Sequence, residues 1–372
     1  MRAASRLRGR AERLWQNQLA WYQWPLWAPL VPASVLYSVA IACRSAYWRI
    51  ASQPAGVRTI GVGNLTVGGN GKTPFTLFLA SRLAARGLKT AIVSRGYAAQ
   101  NRASGARLVA DGRQILLGPD EAGDEPVMMA KSFGGPIAIA RRRIDAINLL
   151  AQRGPLDIVV LDDAFQHLRL RRNVDLLLIS AERGLGNGWM LPAGPMRERL
   201  AAAARASAIV LMLTEDGTVG PGVAEIADGE RQRLIPAMLR PLALVRPTAD
   251  GWLELPLELA GRRVLAVAGL ADPRAFLRML ARLGAEITGR LEYRDHHRYT
   301  GSDYRAISEA ARAANAIIVT TEKDLVKLER FPFAPDSLYA LRLEVAMDEV
   351  DQARLLAMAS GVDSVVTGVA RA

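Results

Sequence analysis

"VGNLTVGGNGKTP", residues 62–74, decides how the rest of the chain is to be read. The apolar run "RTIGVGN" (58–64) stands before its glycines, and "TPFTLFLASRLAARG" (73–87) follows them. That order is strand, glycine loop, helix. It is the setting in which backbone N–H groups and a helix N-terminus gather anionic oxygens. A phosphate-binding loop usually reads G-x-x-x-x-G-K-[ST]. Here Gly71, Lys72 and Thr73 supply the second half, and Thr66 occupies the place of the first glycine. The expected nucleotide cradle is Thr66, Val67, Gly68, Gly69, Asn70, Gly71, Lys72 and Thr73. Lys72 would reach the terminal phosphates of ATP, and the Thr73 hydroxyl would join a Mg²⁺ shell.

Downstream the pattern repeats. "KTAIVSRG" (89–96), "GPIAIA" (135–140), "LDIVVLDD" (156–163), "VDLLLIS" (174–180) and "SAIVLML" (207–213) are short, almost wholly apolar runs. They alternate with amphipathic segments, which implies a parallel sheet covered on both faces. "ARLVADGRQILLG" (106–118) carries a D-G turn and reads as a hairpin. The rhythm breaks at 229–256, a β-rich stretch with four prolines, and a second alternating series follows from "RRVLAVAGL" (262–270) to "AIIVTTEKD" (316–324). The fold class is α/β: a P-loop kinase-like parallel-sheet domain and a smaller α/β/α domain, joined by a β-stranded linker. The expected boundaries are 1–50 for an N-terminal membrane-associated helical segment, 51–228 for the nucleotide domain, 229–256 for the linker and 257–372 for the smaller domain.

"VVLDDAFQH" (159–167) ends an apolar strand in two carboxylates, the form of a strand-end aspartate that reaches Mg²⁺. Asp162 and Asp163, with Thr73, are the candidate metal ligands. The loop "LPAGPMRE" (191–198) offers Arg197 and Glu198 as a clamp for an anionic group, and Gln166 and His167, which follow the aspartate pair, are further candidate substrate residues. "AGDEP" (122–126) puts Asp124 and Glu125 in a loop, where a carboxylate is either a base or a turn former. Histidine is scarce, and two of the three, His296 and His297, stand together in "YRDHHRY" (293–299). "TEKD" (321–324) closes a strand and reads equally well as a helix cap.

Net charge is +12, yet only Lys72, Lys89, Lys131, Lys323 and Lys327 are lysines among 48 basic residues. No zinc-finger spacing, RNP motif or basic heptad helix accompanies the charge, so nucleic acid is not an expected partner. Cys43 is the only cysteine, which excludes internal disulfides and cysteine-rich metal sites and fits a reducing compartment. From Leu14 to Cys43 there is no charged residue. Prolines 25, 29 and 32 and the polar Gln16, Asn17, Gln18 and Gln23 argue against a simple span. Trp15, Trp21, Trp24 and Trp27, between arginine clusters, favour a segment lying in the headgroup layer of an anionic membrane.

Taken one by one, these features leave a regulatory P-loop NTPase open beside a kinase. Taken together, they resemble the tetraacyldisaccharide 4′-kinase family, the lipid A 4′-kinases of Gram-negative bacteria. The resemblance rests on "PLVPASVLYSVAIACR" (29–44), "VGNLTVGGNGKTP", "SRGY" (94–97), "GDEP", "LDDAFQH", "LPAGPMRE" and "DHH", in that order. The threonine at the first loop position is that family's own spelling. Asn70, where threonine is more usual, and "AGLADP" (268–273) depart from it. The resemblance implies ATP- and Mg²⁺-dependent phosphorylation of the 4′-hydroxyl of a lipid A disaccharide 1-phosphate, by a monotopic or peripheral enzyme on the cytoplasmic face of the inner membrane. It implies no obligate protein partner. It also places Asp124 as base and His296 as its partner, with His297 at a variable position. Because His296 falls in the expected second domain, the resemblance further implies that domain closure brings it to Asp124.

Overall fold

The computed structural model describes residues 15, 28–96, 105–248, 251–270 and 272–361. Trp21, Trp24 and Trp27, Tyr97 of "SRGY" and Ala271 of "AGLADP" lie outside the described residues. Helix α1 (Leu30–Ala51) precedes strand β1 (Arg58–Asn64), helix α2 (Lys72–Ala85), and strands β2 (Thr90–Ser94) and β3 (Arg107–Asp111). Then come α3 (Asp124–Ser132), β4 (Pro136–Ile139), α4 (Arg143–Ala151), β5 (Ile158–Leu161), β6 (Val174–Ser180) and β7 (Ala208–Leu213). After α5 (Val223–Gly229) follow β8 (Leu234–Thr248), β9 (Gly251–Leu255), β10 (Arg263–Ala268), α6 (Arg274–Arg282) and β11 (Glu286–Glu292). The chain continues through α7 (Gly301–Ala313), β12 (Ile317–Thr321), α8 (Glu322–Leu328), β13 (Leu338–Ala346) and α9 (Glu349–Ser360).

Two compact units divide the chain, and they are not contiguous as the boundaries read from sequence are. The first gathers the described residues of 1–90, 156–239 and 346–372; the second gathers 91–155 and 240–345. The β-rich stretch at 229–256 is one long strand, β8, with an antiparallel hairpin partner, β9.

In the first unit the strands run β8-β7-β6-β1-β5, all parallel. β1 and β5 are buried along almost their whole length, because a parallel sheet is covered on both faces and selects continuous apolar runs. Phe75, Leu79 and Leu83 recur at helical spacing and form the buried stripe of α2, which packs on β1 and β5. Helix α9 also packs on α2. Arg58 donates to its last carbonyls, Nε to Ala359 at 2.7 Å and Nη2 to Met358 at 2.9 Å, satisfying groups that the helix itself leaves open.

Helix α1 lies along this unit. Ser34 donates to the Met190 carbonyl at 2.8 Å, Tyr37 to that of Arg197 at 3.2 Å and Arg44 to that of Gln166 at 2.7 Å. At 3.6 residues per turn these anchors share one side. Val35, Leu36, Val39, Tyr47 and Ile50 fall within a sector of about 120° on the other side, and all are exposed, Ile50 to 89%.

In the second unit, β11-β10-β12-β13 form a parallel sheet. Alternate residues of β10 enter opposite cores, as the two-residue period of a strand requires. Leu265 and Val267 pack with Tyr299, Ile307 and Leu325, and Val264 and Ala266 pack with Phe276 and Leu280. β2 and β3 flank β4, and the expected hairpin after β3 is reduced to a bridge between Ala110 and Ile115. Helices α3 and α8 pack together, with Lys131 paired to Glu329 at 3.0 Å.

Candidate active site

The glycine loop leaves the carboxyl end of β1, the strand flanked by β5 and β6, where a parallel sheet opens a crevice. Gly71 is the N-cap of α2 and takes φ +72°, a left-handed conformation that costs an L side chain about 1–2 kcal/mol. Gly68 has φ +112°, and a Cβ there would lie 2.5 Å from Arg183 Nη1. Thr66 is buried, and its hydroxyl accepts from the Asn70 amide at 3.1 Å. The Asn64 amide donates to the Thr66 carbonyl at 2.6 Å. The threonine at the first position is therefore an internal brace, and Asn70 is its partner across the loop. Val67 N–H donates to the Pro195 carbonyl at 2.9 Å, tying the loop to "LPAGPMRE".

Asp162 follows β5 immediately and is buried; its Oδ1 accepts from Thr76 of α2 at 3.2 Å. Asp163, at φ +46°, faces two cations, Lys72 at 3.6 Å and Arg197 at 3.2 Å. Gln166 donates to the Asn64 carbonyl at 2.8 Å and lies 3.4 Å from Arg197, and both sit in this first unit, as do Glu198 and His167. Glu198 is buried and bonded twice, at 2.8 Å, to Arg205, whose guanidinium stacks on Phe165 at 3.9 Å. That geometry gives Glu198 a bracing contact within the protein. The His167 carbonyl accepts from Arg172 at 2.6 Å.

The second unit brings together groups far apart in the chain. Asp124, at the start of α3, is 5% exposed, and His296 Nδ1 lies 3.0 and 3.1 Å from its two oxygens across 172 residues. Both belong to the same compact unit, 91–155 with 240–345. Lys327 stands 3.4 Å from Asp124 Oδ2 and 3.1 Å from Asp324. Lys323 lies 2.9 Å from Asp295, 3.3 Å from Glu125 and 3.2 Å from His296 Nε2. Burial alone would raise the Asp124 carboxyl; the His296 hydrogen bond, then Lys323 and Lys327, hold it down at about 2. His296 is raised above its ordinary value by the bond to Asp124, against burial and the Lys323 charge. Lys323 is held firmly ammonium: burial works against its charge, and Glu125, Asp124 and Asp295 outweigh it.

His297 has a different occupation. It meets Asp303 at 3.1 Å and stacks on Tyr293 at 4.7 Å, bracing the start of α7. Thr321 caps α8, accepting from Asp324 N–H at 3.1 Å, as the cap reading of "TEKD" expects. The residues that reading passed over are Lys323 and Lys327. A signal was present: in a chain that uses arginine for nearly every cation, three of five lysines stand at the two clusters.

Among the described residues no group of three or more His, Cys, Asp or Glu is placed to hold a metal. A magnesium ion needs none, since one or two carboxylates and substrate phosphates suffice. The expected ligands Thr73, Asp162 and Asp163 offer only oxygen donors, of the hardness that Mg²⁺ prefers.

The tetraacyldisaccharide-1-P 4′-kinase (LpxK) family profile matches residues 26–360. The tetraacyldisaccharide 4′-kinase of Anaeromyxobacter sp. (strain Fw109-5) is 38% identical over 366 residues, covering 94% of this chain and 97% of that one. Its counterpart in Syntrophus aciditrophicus (strain SB) is 37% identical over 341 residues, 87% and 90% of the two chains. Among solved structures, LpxK from Aquifex aeolicus, described as an "apo" form in complex with ATP, superposes with a TM-score of 0.71 at 28% identity. That match covers 89% of this chain and 98% of the other.

Proposed function

The chain belongs to the tetraacyldisaccharide-1-P 4′-kinase family, and from that premise we propose how its residues divide the work. It is an ATP-dependent kinase that phosphorylates the 4′-hydroxyl of a tetraacyldisaccharide 1-phosphate in lipid A biosynthesis. Residues 66–73 hold the phosphates of ATP, chiefly through backbone N–H groups, and Lys72 neutralises charge on the transferred group. Thr73 and the Asp162–Asp163 pair would hold Mg²⁺, which would supply further charge neutralisation. Arg197, with Gln166 beside it, orients an anionic substrate group.

Asp124 accepts the proton of the attacking hydroxyl, and His296 Nδ1 steadies the carboxylate. The Asp124–His296 contact carries this reading, because a buried carboxylate held by one imidazole is a base with a fixed orientation. Phosphate transfer from labelled ATP to lipid A disaccharide 1-phosphate in detergent micelles tests it. Asp124→Asn is expected to lose about 100-fold or more in turnover with ATP affinity intact. Wild-type turnover in that folded variant overturns the assignment.

Helix α1 rests flat on the cytoplasmic leaflet. Its hydrogen bonds to the body run from Ser34 to Arg44, about 15 Å of helix, which a spanning helix could not keep. The uncharged outer stripe then enters the acyl boundary, and the arginine-rich chain is drawn to anionic headgroups where its acylated substrate resides.

A further inference from the structure

We infer that Lys323 is a positioning residue that holds His296 as a neutral imidazole with its single proton on Nδ1. The proposal rests on the assignment of Asp124 and His296 as the catalytic pair and extends it to the "TEKD" helix, α8.

The argument is one of donors and acceptors. An ionised carboxylate only accepts hydrogen bonds and an ammonium only donates them. His296 Nδ1 lies 3.0 Å from Asp124 Oδ1, so Nδ1 must carry a proton. His296 Nε2 lies 3.2 Å from the Lys323 ammonium, so Nε2 must present a lone pair. Only one of the three states of the ring meets both demands, and an imidazolium would aim an N–H at Nζ.

The charged groups around the ring come from three elements: Asp124 and Glu125 of α3, Asp295 beside it in the chain, and Lys323 and Lys327 of α8. Asp124 and Asp295 favour a protonated ring. Lys323 opposes them, and its own charge is secured by Asp295 and Glu125. The arrangement also settles which partner is the base. Nε2, the atom that would face substrate in a Ser-His-Asp relay, is capped by Lys323, so His296 serves Asp124 rather than the hydroxyl. A neutral ring leaves the carboxylate more basic than an imidazolium would.

The test is ¹⁵N NMR of the full-length protein, with His296 signals assigned by loss in His296→Gln, beside turnover measured against pH. The wild-type ring is expected to show a protonated Nδ1 and unprotonated Nε2 at pH 7.5. In Lys323→Met the ring is expected to take up its second proton at a midpoint at least one unit higher. Turnover in that variant should fall about tenfold near pH 7 and recover toward pH 9, as the ring loses the extra proton. Lys323→Arg should restore the wild-type midpoint, and Lys323→Gln, which keeps a donor without the charge, should fall between. An unchanged midpoint and tautomer in Lys323→Met, or in Lys323→Gln if the former does not fold, overturns the inference, as does a loss of turnover equal at every pH. The NMR readout is independent of catalysis. A shifted midpoint together with a fully active His296→Gln would uphold the role of Lys323 and refute the catalytic pair.

Discussion

The glycine loop of the first unit and the Asp124 cluster of the second are both charged sites, and they are built by opposite means. The loop is a continuous run of eight residues, proposed to bind through backbone N–H groups, and two of its side chains, Thr66 and Asn70, brace one another. The cluster has no continuous sequence. Asp124, Asp295, His296, Lys323 and Lys327 come from three separate stretches and meet through their side chains. A backbone site is written in local conformation and so has a spelling. A side-chain site is written in tertiary packing, and its residues are spelled in separate short motifs that do not show they meet.

Substitutions can break this comparison. The largest effects are expected from Lys72→Ala and Asp124→Ala, each lowering turnover by about 100-fold or more, as when a group acting at the transferred phosphoryl or its acceptor is lost. Only Lys72→Ala should also weaken ATP binding, measured by calorimetry. Comparable ATP affinity in both variants would erase the distinction between the two sites. Within the cluster, Asp124→Ala, His296→Ala and the double variant should lose similar activity, because residues that act as a unit are not additive. Additive losses in the same assay would separate the pair.

Gly71→Ala probes the backbone site. At φ +72° the new methyl carries strain of about 1–2 kcal/mol, and ATP affinity is expected to fall about tenfold. Unchanged affinity would mean that the loop does not hold phosphate through that turn.

The pH dependence sharpens the contrast further. Asp124, depressed to about 2, is ionised throughout the working range, so it cannot supply an acid limb near neutrality. His296 is shifted upward, so turnover should fall as pH drops through a value above 6.5 and be retained on the alkaline side. His296→Gln should abolish that limb, and its survival would assign the limb to another group. The smallest effect belongs to His297→Ala, about twofold or less on turnover. Loss of its Asp303 and Tyr293 contacts should cost about 1 kcal/mol of stability, read by denaturant titration.

Much of the first unit was legible because parallel strands covered on both faces select apolar runs, and β1, β5, β6 and β7 fall where those runs fall. β13 and α9 carry no motif and were not read from the sequence, although α9 contributes a layer against α2. The candidate pair Asp124 and His296 came from family likeness, since nothing local joins residues 172 positions apart.

By itself the sequence determined the phosphate loop, the aspartates at the strand end and the uncharged N-terminal stretch, because each depends on neighbours a few residues away. Only the tertiary structure decided that residues 91–155 gather with 240–345, and with them which side chains meet Asp124. It alone gave Glu198 to Arg205, His297 to Asp303 and Lys323 to His296. It also gave the N-terminal helix two faces, Ser34 and Tyr37 toward the protein and Leu36 and Ile50 away from it. The reason is physical: backbone conformation is set by local sterics, whereas the partner of a charged side chain is set by whatever packing brings within about 4 Å of it.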